Sequence, residues 1–559
     1  LKMMPNQVLV VQQPSQRDQG RKAQLRNIQA GKTVADVVRT TLGPKAMLKM
    51  LLDPLGGIVL TNDGNSILRE VDVAHPGAKS IIELSRTIDE EVGDGTTSVV
   101  VLAGEFLACA EPLLQKNIHP TIIAKGYLRA LDDSIKFMEE MSVKLDVNNK
   151  ESLVSVVDSC LKTKFSGRWG SLISSMALKA AETVSIANSG SPKEIDIKRY
   201  VRIEKIPGGE IEDSYVLDGV VVNKDVVHPR MKRLIINPKV LLLDCTLEYK
   251  KGESQTNVEI TKEADWEALL RQEEEEVEAM CKDIIATGCN VVFTEKGVSD
   301  LAQHFLVKAG ISVIRRVRKS DNNRIARVTG ATIASRTEEL TPNDVGTCCG
   351  RFEVKKIGDE YFCFLTESKT PKACSILLRG GSKDVLNELE RNLHDALAVA
   401  RNILLDPALL PGGGGTEMAI SCYLNEKSFS IDDTQVWAYK AFAQALEIIP
   451  KTLAQNCGAN VMKTLTLLKS HYLPSSATRG QKPVHGINGC TGAITNVTEL
   501  GIWDTLAVKQ QVYKTAVEAT LMLLRIDDVL SSVSKKKDPV QNNIEQNPNM
   551  ESFGDSRDG

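Results

Sequence analysis

The residues best suited to chemistry lie in the short stretch 93–98, which reads Gly-Asp-Gly-Thr-Thr-Ser. Apolar residues at helical spacing precede and follow it, which predicts a turn between two amphipathic helices. In such a turn the carboxylate of Asp94 would lie beside the free N–H groups that open the second helix and attract anions. A carboxylate and a phosphate repel each other unless a divalent cation lies between them, and Mg²⁺ commonly binds such a pair. A Gly-Asp-Gly turn by itself is usually only a connection between two helices, so a functional interpretation needs support from the rest of the chain.

Other parts of the sequence supply turns and carboxylates that could complete a phosphate site. Glycine-containing turns with N–H groups open to a phosphate are predicted at 42–44, 63–64 and 412–414. Phosphoryl transfer to water needs a metal that neutralises the phosphates and a carboxylate that orients the water, and Asp94, Asp395 and Asp63 could divide these roles. By itself, a helical aspartate such as Asp395 more often faces solvent. The sequence contains neither a GxxxxGKS/T loop nor a GxGxxG after a strand, which excludes P-loop and Rossmann sites.

Length and composition place the chain among ordinary soluble globular proteins. Its 559 residues would form about three or four domains, and 42% hydrophobic with 25% charged residues is typical of such chains. The formal net charge of −3 argues against a general nucleic-acid-binding protein. We find no apolar run of about 18 residues and no signal-peptide pattern, so neither a membrane span nor secretion is predicted. Twelve cysteines without a CxxC pair indicate reduced thiols in the cytosol.

Hydrophobic periodicity predicts a largely helical chain that is interrupted by a β-rich segment. Helices are predicted over 21–41, on both sides of 93–98, from 120 to about 140, from about 148 to 184 with a break at Thr163-Lys164, over 385–404, from 417 to about 473, and over 508–529. The apolar segments 50–52 and 58–60 predict a β-hairpin, and the runs 240–244 and 290–294 are typical of buried parallel strands. The polar residues 1–20 and those beyond 531 are predicted to be mobile.

Five motifs resemble signature motifs of the group II chaperonins, and they occur in the same order. They are Leu-Gly-Pro-Lys at 42–45, Thr-Asn-Asp-Gly at 61–64, Gly-Asp-Gly-Thr-Thr at 93–97, Pro-Gly-Gly-Gly at 411–414 and Leu-Arg-Ile-Asp-Asp at 524–528. The resemblance covers nearly the whole chain, from 21 to 529. Within the family, the stretches 202–209, 248–257 and 319–327 are most similar to the eukaryotic cytosolic chaperonin, called TRiC or CCT.

The resemblance implies a multidomain α/β (α+β) fold, the chaperonin fold, with three nested domains. These would be a mostly helical equatorial ATP-binding domain at 1–149 and 411–559, a small intermediate hinge domain at 150–213 and 370–410, and a β-rich α/β apical substrate-binding domain at 214–369. The apical domain would carry a helical lid protrusion at about 248–278, and residues 531–559 would form a disordered tail. Without the resemblance, the acidic run 273–276 is better explained as a solvated helix face.

The resemblance also implies roles for individual residues. Asp94 would be the Mg²⁺ ligand, Asp395 would orient the attacking water, and Asp63 would assist it. The residues that would bind the nucleotide are Gly43, Gly95, Thr96, Thr97, Ser98, Lys164, Gly412, Gly413, Gly489, Asp504 and Lys509. Residues 95–98 would contact the phosphates, and Lys164 would sense the nucleotide from the intermediate domain. The last three residues would lie near the ribose and the adenine.

The function that the resemblance implies is that of an ATP-dependent molecular chaperone subunit in the cytosol. It would bind and hydrolyse ATP with Mg²⁺ to drive closure of the lid over a non-native protein, such as an actin or a tubulin. Its partners would be related subunits in a hetero-oligomeric double ring, with eight subunits in each ring. Neither a nucleic acid nor a membrane is an expected partner.

Two alternatives remain open from the sequence. Asp504-Thr505 stands where the family usually has Glu-Pro, Gly415 stands where alanine is common, and 489–492 and 496–497 are also unusual. Because these departures cluster on the base side of the nucleotide, a divergent ring subunit with weak or no hydrolysis is the first alternative. The second is a free-standing ATPase or kinase, which no kinase motif or nucleophile in the sequence supports.

Overall fold

The computed structural model describes residues 15–52, 56–147, 149–186, 194–249, 263–431, 433–473 and 484–532. The predictions for 1–14, for the tail beyond 532 and for part of the acidic segment, 250–262, lie outside these residues. Within the described residues the chain forms seventeen α-helices and twenty strands, most of the strands short.

The first part of the chain is mainly helical, as its apolar periodicity predicts. Its elements are β1 (Ser15–Gln19), α1 (Arg21–Arg39), β2 (Lys49–Leu52), β3 (Ile58–Thr61), α2 (Gly64–Glu70), α3 (Pro76–Glu91), α4 (Thr96–Gln115), α5 (Pro120–Met141) and β4 (Val143–Lys144). β2 and β3 pair in antiparallel register, which confirms the predicted hairpin. The boundary between α3 and α4 falls on 92–95, so the predicted turn between two helices is also confirmed.

The next part begins with helices and ends in a strand. Its elements are α6 (Lys150–Leu161), a 3₁₀ turn (Phe165–Trp169), α7 (Gly170–Val184), α8 (Ile197–Tyr200) and β5 (Val201–Pro207). The predicted break at Thr163-Lys164 is confirmed, because both residues lie between α6 and the 3₁₀ turn. Lys164 therefore lies on a short connection and not within a helix.

The middle of the chain is rich in strands. Its elements are β6 (Tyr215–Leu217), β7 (Val220–Val222), β8 (Leu234–Ile236), β9 (Val240–Leu243), α9 (Glu263–Ala286), β10 (Val291–Thr294), α10 (Asp300–Lys308), β11 (Ser312–Ile314), α11 (Lys319–Thr329), β12 (Ile333–Ala334), β13 (Arg351–Ile357) and β14 (Glu360–Thr366). A parallel sheet has the order β11-β10-β9-β12, which confirms the two predicted buried parallel strands. A second sheet, β7-β14-β13-β8, is antiparallel. In α9 the acidic run 273–276 is exposed, as a solvated face would be.

The last part returns to helices. Its elements are β15 (Cys374–Gly380), α12 (Lys383–Leu405), β16 (Ala408–Pro411), α13 (Gly415–Lys427), α14 (Val436–Leu446), α15 (Ile448–Cys457), α16 (Val461–Tyr472), β17 (His485–Ile487), β18 (Ile494–Asn496), β19 (Trp503–Thr505), α17 (Leu506–Leu524) and β20 (Asp528–Ser532). β15 pairs in parallel with β5, and β16 lies between β19 and β4. These pairings join the last part of the chain to segments that precede the strand-rich middle.

Buried apolar residues form three main cores that follow these parts of the chain. The largest contains residues from 28–141 and 408–524, the second lies within 220–373, and the third combines 153–203 with 374–409. The second core is therefore inserted within the third, and the third within the first.

The helix α4 is the centre of the largest core. Its Phe106 stacks on Phe442 of α14 with ring centroids 4.7 Å apart, and both side chains are fully buried. Among the described residues it is the one helix long and apolar enough to cross a membrane, and 61% of its apolar window is buried inside the fold. Burial of this kind is what the central helix of a large core requires.

The two ends of the described chain differ from the prediction. β1 pairs with β20 in antiparallel register, and Arg17 forms an ion pair of 2.7 Å with Asp528. The prediction of a mobile segment is thus wrong for residues 15–19, which form β1. The prediction that the last helix reaches 529 is wrong because α17 ends at Leu524, and the prediction of a disordered tail is wrong for 531–532, which belong to β20. A polar strand that pairs with residues 511 positions away leaves no periodic signal in the local sequence.

Candidate nucleotide-binding site

A cleft of about 260 Å³ lies where the largest core meets the connection after α6. Twelve of the residues predicted from the resemblance line it: Gly43, Asp63, Asp94, Gly95, Thr96, Thr97, Ser98, Lys164, Gly413, Gly489, Asp504 and Lys509. Gly412 and Asp395 do not line it. Gly412 packs behind the wall, where an added Cβ would lie 2.9 Å from a side-chain carbon of Ile502. Asp395 approaches the cleft through Lys164.

The turn between α3 and α4 forms one wall of this cleft. Gly93 and Gly95 both have positive φ, at 73° and 81°, and this conformation reverses the chain within three residues. The Gly95 N–H donates to Oδ1 of Asp94 at 2.7 Å. The N-cap residue of α4 is Gly95, which has no side chain to accept from the first turn, so these N–H groups line the cleft with the positive end of the helix dipole. The wall is suited to an anion.

The second oxygen of Asp94 contacts a residue that the sequence did not reveal. The thiol of Cys160, on α6, donates to Oδ2 of Asp94 at 3.4 Å. Burial raises the pKa of Cys160 far above the ordinary value, and the Asp94 carboxylate raises it further, so the thiol stays protonated as a donor. A weak thiol donor leaves this carboxylate oxygen free to exchange its partner for a cation. The sequence showed only a cysteine shortly before the predicted break at Thr163-Lys164, which does not indicate a contact with Asp94.

Asp63 is held more firmly than Asp94. It caps the start of α2, where its carboxylate accepts from the backbone N–H groups of Asn65 at 3.3 Å and Ser66 at 3.0 Å. The hydroxyl of Thr96 donates to the same carboxylate at 3.1 Å. Asp63 therefore links the end of the β2–β3 hairpin to the first residue of α4, and its oxygens are already engaged.

Lys164 stands between Asp395 and the cleft. Its ammonium forms an ion pair with Oδ2 of Asp395, and the two side chains are 12% exposed. Burial disfavours the charge on Lys164, but the nearby carboxylates of Asp94 and Asp63 more than offset this, so its pKa is raised and the ammonium stays protonated. A phosphate that entered the cleft would offer this ammonium a second anionic partner.

A buried ion cluster also lines the cleft. The ammonium of Lys509 pairs with Glu417 and, at 3.1 Å, with Asp504. Burial disfavours its charge, but Asp504 and Glu417 raise its pKa above the ordinary value. Glu417 is only 1% exposed and lines the cleft, yet sequence reasoning missed it. The available signal was an acidic residue in the first turn of the helix that follows the glycines 412–414.

A metal at this site would depend on few protein ligands. Among the residues that the structure describes, no group of three or more His, Cys, Asp or Glu side chains could hold a metal ion. Asp94 offers one carboxylate oxygen beside the open N–H groups of α4, whereas Asp63 is fully engaged. One carboxylate together with phosphate oxygens is a common way to bind Mg²⁺, so the donor set fits a cation that arrives with a polyphosphate.

We expect Lys509→Met to destabilise the protein strongly. The substitution keeps the length and apolar stem of the side chain but leaves the buried carboxylate of Glu417 without a cation. Removing one partner of a buried ion pair costs about 3–5 kcal/mol of the free energy of unfolding. Lys514→Met on the exposed face of α17 is the matched control, with an expected change within about 0.5 kcal/mol. Urea unfolding measures both, and equal midpoints for the two variants would contradict the prediction.

Comparison with known proteins gives a consistent set of similarities. Residues 34–534 match the model of the TCP-1/cpn60 chaperonin family. T-complex protein 1 subunit gamma of Oxytricha granulifera is 57% identical over 558 residues, which is 99% of each chain. The proteins of the same name from Mus musculus and Drosophila melanogaster are 57% and 59% identical over 531 and 530 residues, and the matches cover 95% of this chain and 96% of each relative.

Proposed function

Because this chain belongs to the TCP-1/cpn60 chaperonin family, we propose that it is an ATP-hydrolysing subunit of a hetero-oligomeric cytosolic chaperonin, in the place of a gamma subunit. Its fold is the multidomain α/β chaperonin fold. One observation carries the ATPase proposal: Asp94, the open start of α4 and the Lys164–Asp395 pair meet at a single cleft. A metal ligand, an anion site and a carboxylate that can orient water are what phosphoryl transfer to water needs.

The nucleotide would lie with its phosphates against the start of α4. The N–H groups at 96–98 would bind phosphate oxygens, and Gly43 would approach them from the other side of the cleft. Asp94 would hold Mg²⁺, whose charge neutralises the phosphates as the terminal bond breaks. The base and ribose would face Gly489, Gly413 and the Asp504–Lys509 pair.

Asp395 would orient the water that attacks the terminal phosphate. In the structure its carboxylate is occupied by Lys164, which lies on the cleft side. A bound phosphate would draw the Lys164 ammonium toward itself and leave the Asp395 carboxylate free to accept a proton from water. Asp63 would assist by fixing Thr96, because its own oxygens already accept from four donors.

We assign the three cores to three domains. The core from 28–141 and 408–524 would belong to the equatorial domain, the one that joins 153–203 with 374–409 to the intermediate domain, and the one within 220–373 to the apical domain. Since Asp395 lies on α12 of the intermediate domain and Asp94 on the equatorial turn, rotation between these domains would control the distance between them. The helical lid protrusion would lie at about 248–278, and its residues 263–278 belong to α9.

Exposed apolar strands support association with other subunits. In the β2–β3 hairpin Met50, Leu52 and Ile58 are 70%, 73% and 56% exposed. The hairpin and the β1–β20 pair are both two-stranded, so each leaves open edges that another chain could extend. We propose that neighbouring chaperonin subunits cover these strands in a double ring. Non-native clients of the actin and tubulin type complete the proposal. We also propose a cytosolic location, because none of the twelve cysteines, all of which lie in the described residues, forms a disulfide, and this suits a reducing compartment.

The first experiment is purification of the tagged full chain from cells in nucleotide-free buffer. We expect an assembly of roughly one megadalton, or about sixteen chains of 61.1 kDa, that contains related subunits. The assembly should bind ATP in the presence of Mg²⁺ and release it when EDTA removes the metal. A monomer that binds ATP would support the free-standing alternative, and a monomer that binds none would overturn the proposal.

A further inference from the structure

The carboxyl end of α3, immediately before the Asp94 turn, is capped by side chains from a distant part of the chain. The carbonyl of Glu90 accepts from Lys198 at 2.8 Å. The carbonyl of Glu91 accepts from Arg401 at 2.5 Å, and that of Val92 accepts from Asn402 at 3.0 Å. The last carbonyls of a helix have no partner within the helix, so these contacts satisfy groups that would otherwise need water.

The charge pattern of α3 makes these distant donors necessary. Its last turn contains no basic residue and ends in acidic ones, Asp89 to Glu91, which is unfavourable at the negative end of a helix dipole. Lys198 and Arg401 supply the two positive charges from α8 and α12. Burial lowers the pKa of Arg401, but a guanidinium remains charged at neutral pH.

One face of α12 lies along the turn that carries Asp94. Asp395, Ala398 and Asn402 are spaced by three and four residues, which places them on the same side of the helix. Asp395 pairs with Lys164, Asn402 donates to Val92, and Ala398 lies so close to Gly93 that a Cβ on Gly93 would be 2.3 Å from its own.

The orientation of the Asn402 amide is fixed from both sides. Its Nδ2 donates to Val92, and its Oδ1 accepts from Nε and Nη2 of Arg401 at 3.3 and 3.2 Å. Asn402 is also buried, at 7% exposure. Asp395 lies seven residues earlier, about 10 Å along the helix axis, so a pivot at Asn402 would displace its carboxylate.

We propose that Asn402, oriented by Arg401, is a positioning residue for ATP hydrolysis that sets Asp395 relative to the Asp94 turn. Asn402 does not line the cleft and takes no proton; it acts by joining α12 to the carbonyl of Val92. The inference rests on the proposed function, because it has no meaning if this chain does not hydrolyse ATP. It predicts that Asn402 affects turnover and leaves nucleotide affinity unchanged.

The test is Asn402→Leu, which keeps the side-chain size and removes both hydrogen bonds. The tagged assembly is measured for ATP turnover and for ATP binding, and the same assembly with Asp395→Ala defines the hydrolysis that other subunits contribute. We expect the share of this chain in kcat to fall about tenfold, since a misplaced catalytic group loses rate and not affinity. Both KM and the dissociation constant for ATP should stay within about twofold.

Asn387→Leu is the matched control, because it makes the same change on the same helix. Asn387 accepts from Lys205 at 2.8 Å and does not line the cleft. Its turnover should equal that of the parent chain. Asn402→Leu should therefore differ from it in kcat alone.

A second pair of variants tests the contact between α12 and the Asp94 turn without changing Asn402. Gly93→Ala adds a Cβ that collides with Ala398, and we expect a turnover at least tenfold lower. Adding Ala398→Gly removes the collision and keeps the strain of a positive φ at position 93. Recovery of most of the turnover in the double variant would therefore show that the contact with α12 matters.

The outcomes separate the inference from the proposed function. If Asp395→Ala leaves the turnover unchanged, the proposed hydrolysis by this chain is wrong. If Asp395→Ala lowers turnover while Asn402→Leu behaves as the parent, the positioning role is wrong. A loss of ATP binding in Asn402→Leu that matches its loss of turnover would also overturn it, because that result indicates general damage to the site.

Discussion

Replacing Asp395 with alanine should lower ATP hydrolysis by this chain at least about a hundredfold, since a positioned general base contributes a factor of about 10²–10⁴. Nucleotide binding should persist, because Asp395 does not line the cleft and contacts it only through Lys164. Single-turnover hydrolysis and ATP binding by the tagged assembly measure the two effects separately.

Two further variants sharpen this result. Asp384→Ala removes an exposed carboxylate from the first turn of the same helix and should leave hydrolysis unchanged. Asp395→Asn keeps the size of the side chain but loses the capacity to accept a proton, so it should resemble the alanine variant. If both Asp395 variants turn over ATP at the parent rate, the chain is the non-hydrolysing ring subunit that the departures at Asp504-Thr505 suggest.

The turn at 93–98 shows which structural features local sequence is able to predict. Apolar residues at helical spacing end at Val92 and begin again at Val99, so the two helices and the break between them could be predicted. The glycines then take the positive φ that the reversal requires. Parallel strands β9 and β10 were equally predictable, because runs of four and three consecutive apolar residues, buried on both faces, leave few alternatives.

Features that depend on distant partners could not be predicted in this way. Glu417 is buried only because Lys509, 92 positions later, neutralises it. β1 is a strand only because β20 pairs with it, and Cys160 meets Asp94 only because α6 folds against the turn. Each of these contacts includes at least one polar residue outside any apolar periodic pattern, so the local sequence does not predict the contact.

Two of the roles implied by the resemblance also depend on packing that the sequence does not show. The resemblance identifies Gly412 and Asp395 as neighbours of the nucleotide, yet neither lines the cleft. Gly412 supports the wall from behind, and Asp395 reaches the site only if Lys164 moves. The resemblance therefore specifies which residues belong to a site, while packing decides which of them line the cleft.

The largest effect on nucleotide binding is expected from Gly95→Val. Gly95 has φ of 81°, a conformation that strongly disfavours a β-branched residue, and its Cβ would lie 2.8 Å from a methyl group of Val512 and 3.3 Å from one of Val508. To relieve this, the start of α4 must shift away from α17, and its N–H groups then no longer converge on the phosphates. We expect ATP affinity to fall at least about a hundredfold, equal to roughly 3 kcal/mol of binding free energy.

A matched variant separates this local effect from the general cost of a valine at positive φ. Gly310 has φ of 77° and open space around its Cβ, and it lies in the strand-rich middle of the chain, away from the cleft. Gly310→Val should therefore lower stability through backbone strain alone and bind ATP as the parent does. If Gly95→Val retains the parent affinity, the phosphates cannot lie at the start of α4. The roles assigned to Asp94 and to residues 95–98 would then be wrong together, because all of them depend on that one position of the phosphates.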